Sequence, residues 1–192
     1  MTGELDPDDP PTGDETAASR PVGASVIGCL SLVGSALGLG SLFWMAMGDD
    51  LPGRLVELGA LGAAAGLSVA LILALTLATG VGLFADRPWG WWVAASSFAY
   101  ACIRNVGAMA QLPLLAAEFP EFSTGRLRLA MLKHLVRALF SAWFVTYLAR
   151  DYVRAYYGVT DSRASAIRKV ATVSLVMYGG LWFVTQALSL IE

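Results

Sequence analysis

The chain has 192 residues, 56% of them hydrophobic and 15% charged, with a mean hydropathy of +0.61. That balance lies far above the soluble norm and argues against an ordinary soluble domain. The net charge of −2 hides a division: residues 1–19 carry six acids and no base, and the remainder carries 13 Lys/Arg against nine acids.

The first 20 residues place Glu4, Asp6, Asp8, Asp9, Asp14 and Glu15 among prolines and glycines. They can bury almost nothing, so they read as a disordered acidic tail, with residues 21–192 forming a transmembrane helical bundle. The tail is not a signal peptide, which would need a basic start before its apolar run. Residues 21–48 hold 28 positions without a charge and predict a first helix over about 22–47, ended by Gly48-Asp49-Asp50 and Pro52-Gly53. Phe43 and Trp44 near its end suit an interfacial aromatic belt. Residues 58–85 hold another 28 uncharged positions and predict a second helix over about 55–84. Asp86-Arg87-Pro88 allows only a tight antiparallel turn, with Pro88 at the helix start where proline is tolerated.

A third helix is expected over about 89–116, anchored at headgroup level by Trp89, Trp91 and Trp92 and kinked near its end by Pro113. After a loop at 118–121, Ser123 or Thr124 would cap a fourth helix over about 125–157, which Gly158 would end. Its first half is basic: Arg126, Lys133 and Arg137 fall within one narrow arc, so it reads as amphipathic and suited to the interface. A fifth helix is expected over about 165–190, where residues 170–191 carry no charge. About 20 apolar residues suffice for a spanning helix, so the fold class is an all-α integral membrane bundle of five transmembrane helices. The alternative is four spans plus one interfacial amphipathic helix. Five spans distribute the bases seven to five in favour of a cytoplasmic N-terminus, whereas four spans distribute them ten to two with both termini outside.

The turn Arg87-Pro88-Trp89-Gly90-Trp91 resembles one in small uncharacterised multi-pass prokaryotic membrane proteins, where an RPWxW element follows the second helix on the cytoplasmic side. Tyr147-Leu148 followed by Val153-Arg154-Ala155-Tyr156 is similar to the exit of their fourth helix. The resemblance covers about a third of the chain. It implies a topology and a cell-membrane location, and no activity.

Helix two carries a small residue at every fourth position: Gly62, Gly66, Ala70, Ala74, Ala78 and Gly82. Such a row lets backbones approach closely, either against helix one or in a homo-oligomer or another membrane partner. Helix three carries Arg104 at its centre, where a charge costs roughly 2.5–3.5 kcal/mol on insertion scales. No acid falls inside any predicted span, and Glu118 lies about 21 Å away at ~1.5 Å per residue. Asn105 and Gln111 extend a polar stripe from Arg104, and Ser35, Ser141, Tyr178 or carbonyls near Gly179-Gly180 are possible partners at its depth. Arg104 reads either as an arginine tying helices together or as a site for an anionic ligand.

Catalytic signals are thin. His134 is the single histidine and sits among bases, so it reads as interfacial; a metal cluster or bis-His haem site lacks its second imidazole. Cys29 and Cys102 read as small buried hydrophobes, and no C-x-x-C, G-x-S-x-G or phosphate-loop pattern is present. No cofactor, metal or nucleic-acid partner is expected. Arg126, Lys133, Arg137, Arg154, Arg168 and Lys169 have a plainer use as contacts to anionic lipid headgroups. The expected function is therefore non-enzymatic, of interaction, assembly or envelope-support type. The alternative is a small transporter or channel with a polar path at Arg104, Asn105 and Gln111, and an integral membrane enzyme ranks third.

Overall fold

The computed structural model describes residues 19–48, 59–118 and 124–189. The expected acidic tail through residue 18, residues 49–58 with the expected start of the second helix, residues 119–123 with the proposed cap at Ser123, and residues 190–192 lie outside the described residues. Among those described, every regular element is a helix: α1 (Val22–Gly48), α2 (Gly59–Phe84), α3 (Pro88–Glu118), α4 (Thr124–Leu148), α5 (Asp151–Tyr156) and α6 (Arg163–Ser189).

Four of these helices contain a stretch long and apolar enough to cross a membrane: Val22–Trp44, Gly66–Phe84, Thr124–Leu148 and Arg163–Ala187. The expected fifth, α3, is not among them. It is 31 residues long but carries Ser96, Ser97, Arg104, Asn105 and Gln111. The fourth helix, suspected of lying at the interface, does qualify, because its apolar second half outweighs its basic first half.

Packing places α3 among the other long helices. α3 packs against α2, α4 and α6, while α1 lies against α2 and touches α4. Asn105 is buried in that packing, whereas Arg104 and Gln111 are exposed.

The α2–α3 hairpin is closed by direct backbone contact. A Cβ on Gly90 would lie 1.8 Å from the Gly82 carbonyl oxygen, and one on Gly82 would lie 2.7 Å from the Gly90 Cα. No other residue type fits this crossing. Asp86 turns the chain with φ 50°.

The expected fourth helix is two helices. α4 ends at Leu148, Arg150 is extended (φ −67°, ψ 144°), and α5 restarts at Asp151. Side chains hold the break open. Trp91 Nε1 donates to the Leu148 carbonyl at 2.8 Å, and Arg154 Nε donates to the Ala149 carbonyl at 3.3 Å. These are helix-terminal acceptors that have no partner within their own helix. Gly158, with φ 68°, ends α5 as expected, its N–H bonding the Ala155 carbonyl at 3.0 Å.

The α2 terminus is closed in the same way. Tyr157 Oη donates to the Leu83 carbonyl at 2.9 Å, and Arg20 donates to the Phe84 carbonyl at 3.1 Å while pairing with Asp86. Burial, with Asp86 nearby, pushes the Tyr157 phenol up to about 12, so it remains a donor at neutral pH. The apolar core gathers at this end, around Ile27, Leu83, Trp91, Leu148, Val153, Tyr157 and Val170. Trp91, expected as a headgroup anchor, is 1% exposed at its centre, whereas Trp89 is 47% exposed.

Candidate functional site: the Arg104 face

The helical period brings Tyr100, Arg104, Ala108 and Gln111 onto one stripe of α3. Together with Ser68 of α2, His134 of α4, and Tyr178, Thr185 and Gln186 of α6, that stripe walls a vestibule of about 320 Å³. Four helices therefore contribute polar groups to one space. The approach of α6 is close: a Cβ on Gly107 would lie 2.2 Å from the Tyr178 hydroxyl.

On another side of Arg104 lies a smaller chamber of about 100 Å³, between α1, α2 and α3. Its polar residues are Ser31, Thr76, Thr79, Ser97, Tyr100 and Arg104, against Ile72, Leu75, Phe98 and Ala101. Arg104 and Tyr100 are shared by both spaces.

The polar stripe expected on α3 divides. Arg104 and Gln111 are exposed and face the vestibule. Asn105 is 6% exposed and turns toward α4. Its Nδ2 donates to the Ala101 carbonyl at 2.7 Å, which leaves Oδ1 as the acceptor for His134 Nδ1 at 2.9 Å. His134 thus carries its proton on Nδ1 in this contact. The pair ties α3 to α4, a role for His134 that its basic neighbours in sequence concealed.

Arg104 itself has no hydrogen bond or ion pair among the described residues. Of the partners expected at its depth, Ser35 bonds the Ser31 carbonyl and Ser141 the Arg137 carbonyl, each one turn back on its own helix. Tyr178 does join the vestibule wall. Tyr100 and Thr79 were not singled out from sequence. Tyr100 stands one turn before Arg104, a spacing that signals the shared face; Thr79 carried no comparable signal.

The interfacial bases separate as well. Arg126, Lys133 and Arg137 are exposed along α4. Arg154, grouped with them from sequence, is 8% exposed and bonds the Ala149 and Asp161 carbonyls and the Asp151 carboxylate. Arg168 and Lys169 stand at one end of an apolar groove of about 870 Å³ that runs past Val93, Val173 and Met177. Lys169 pairs with Asp161 at 2.7 Å and lies 5.9 Å over the Trp92 ring. That hydrogen bond holds the Asp161 carboxyl below its usual range.

The small-residue row on α2 also divides. Gly82 meets α3, whereas Ala70 and Ala74 are exposed and a Cβ on Gly66 would meet nothing within 4 Å. Ala78 is half-buried, and Gly62 has surroundings outside the described residues. Contact between α1 and α2 runs through other glycines, with Gly80 against Leu32 and Gly38 against Leu73.

Among the described residues no three His, Cys, Asp or Glu side chains gather into a metal site. Comparison of the chain with protein-family models, curated proteins and solved structures gives no match.

Proposed function

We propose that this is a non-enzymatic multi-pass membrane protein of transporter or channel type, which admits a small anion to Arg104. The observation that carries this reading is the guanidinium itself. It lies at the middle of the central helix, has no acid partner among the described residues, and walls two cavities at once. An arginine that merely ties helices would be closed by carbonyls or hydroxyls, as Arg154 is. A mid-bundle cation without a counter-charge favours an anion from solution.

In this reading α3 is the fifth span, sheltered by α2, α4 and α6. The N-terminus is cytoplasmic, supported by the seven-to-five distribution of bases and by the resemblance of the Arg87–Trp91 turn. A reporter fused before Met1 should then respond oppositely to one fused after Glu192; like responses would remove the fifth span.

The functional test is anion release from vesicles containing the purified chain. Chloride, nitrate or formate should leave faster than from protein-free vesicles, and Arg104→Met should abolish the difference while the protein stays inserted and monodisperse. Release that is unchanged in Arg104→Met would exclude the reading.

A second reading, assembly with another copy or another membrane protein, is favoured by one observation: exposed Ala70 and Ala74, in line with half-buried Gly66 where a Cβ would meet nothing within 4 Å, have the form of a close helix-packing surface. Cross-linking in membranes, compared with an Ala70→Leu variant, tests it. Contact of Arg168, Lys169 and the exposed α4 bases with anionic lipid is compatible with either reading.

A further inference from the structure

Eight hydroxyls in the described helices bond the carbonyl one turn back, on Ser35, Ser41, Thr76, Ser97, Ser141, Thr146, Ser174 and Thr185. This is an ordinary fate for serine and threonine inside a helix. Thr79 departs from it. The residue is 1% exposed, yet its Oγ1 has no partner among the described residues. Tyr100, 2% exposed, leaves its Oη equally unpartnered. Both residues wall the same 100 Å³ chamber, and Arg104 walls it too. Two unmet buried hydroxyls beside an unpaired cation form a set of donors without an acceptor.

Resting on the anion reading above, we propose that this chamber binds a small monovalent inorganic anion of halide size, partly dehydrated, between the Tyr100 and Thr79 hydroxyls and the Arg104 guanidinium. The donor inventory selects for charge. Thr76 and Ser97 already donate to their own helices, at 2.6 and 2.7 Å, so the donors left over on the wall belong to Ser31, the two buried unpartnered hydroxyls and the arginine. A cation would meet Arg104. Water would satisfy the hydroxyls and leave the guanidinium without a counter-charge.

Size follows from volume and donor number. At about 30 Å³ per water, the chamber holds one halide with a water or two. Sulfate or phosphate would bring four oxygens and a second charge to a space with one cation. The larger vestibule shares Arg104 and Tyr100 with this chamber.

Bromide is the probe. Crystals of the full chain grown in bromide should show an anomalous peak within hydrogen-bond distance of Tyr100 and Thr79. Thermal unfolding in detergent should rise as bromide replaces gluconate at constant ionic strength. Tyr100→Phe and Thr79→Val should each weaken bromide binding about tenfold or more, with helicity unchanged, and Thr79→Ser should restore it. Ordered water without bromide in the chamber overturns the proposal. So does a bromide response lost in Arg104→Met but unmoved by Tyr100→Phe and Thr79→Val; that result leaves the anion reading at Arg104 standing. Absence of any shift with bromide, nitrate or formate overturns both.

Discussion

The two halves of this bundle treat polar groups in opposite ways. At the end carrying the Asp86 turn, helix-terminal carbonyls are closed by side chains: Trp91 on Leu148, Tyr157 on Leu83, Arg154 on Ala149 and Arg20 on Phe84. Halfway along, Arg104, Tyr100 and Thr79 lie within one cluster, and no group among the described residues answers them. The unmet hydroxyls of Thr79 and Tyr100 therefore stand out against a chain that pairs its other buried polar side-chain atoms among the described residues, at the turn end and, through Asn105 and His134, at mid-bundle. The anion reading proposed above rests on that difference.

The largest expected effect tests the secured end. Gly90→Val places atoms inside the Gly82 backbone and should cost about 3 kcal/mol or more, seen as loss of monodisperse protein after detergent extraction. Normal recovery would mean that the hairpin can open without harm. Next come the terminal carbonyl bonds. Tyr157→Phe or Trp91→Phe leaves a buried acceptor unmet and should lower stability by about 1–3 kcal/mol in chemical unfolding. A null effect in both would erase the contrast between the halves.

A smaller effect concerns acid. The hydrogen bond from Arg20 holds the Asp86 carboxyl below its ordinary value of 3.8. A depressed carboxylate stabilises the fold above its unfolded pKa, and that contribution is lost as pH falls through the lower folded value. Both side chains are partly exposed, at 29% and 40%, so solvent screening limits the pair to about 0.5 kcal/mol. Wild type should lose that increment below about pH 4, and Asp86→Asn should show no such step in its pH–stability profile. The smallest effect lies in the open half. Gly66→Leu and Ala70→Leu should change monomer stability by no more than about 0.5 kcal/mol, because neither position is packed within the chain. If they shift the oligomeric state instead, the assembly reading gains at the expense of transport.

Hydropathy made the long helices legible, since charge-free runs over residues 21–48 and 170–191 report a lipid-compatible segment without reference to neighbours. Counting uncharged residues also ranked α3 as a span and doubted α4, because a run free of charge weighs neither the neutral polar residues of α3 nor the apolar second half of α4. The break at Ala149–Arg150 was illegible for a related reason. Nothing in that segment forbids a continuous helix; the interruption is held by Trp91, 57 residues away. Arg154 looked like its basic neighbours until its partners at Ala149, Asp151 and Asp161 were in place. In the site, Arg104 was legible because a charge among apolar residues needs no context to be anomalous. Thr79 was not, because a helical threonine becomes unusual only when its expected bond to the preceding turn is missing.

The contact between Gly82 and Gly90 bears on how the chain enters the bilayer. A segment containing Arg104 is a poor candidate for partitioning by itself, and the apolar part of α2 is a good one. In the five-span reading proposed above, the two, joined backbone to backbone across a three-residue turn, partition as one object, and the surplus affinity of α2 covers the deficit of α3. The glycine pair then acts during biogenesis as well as in the finished fold. Separating the two helices, by substitution or by a long insertion at Asp86-Arg87, should leave α3 stranded at the membrane surface even though its own sequence is untouched.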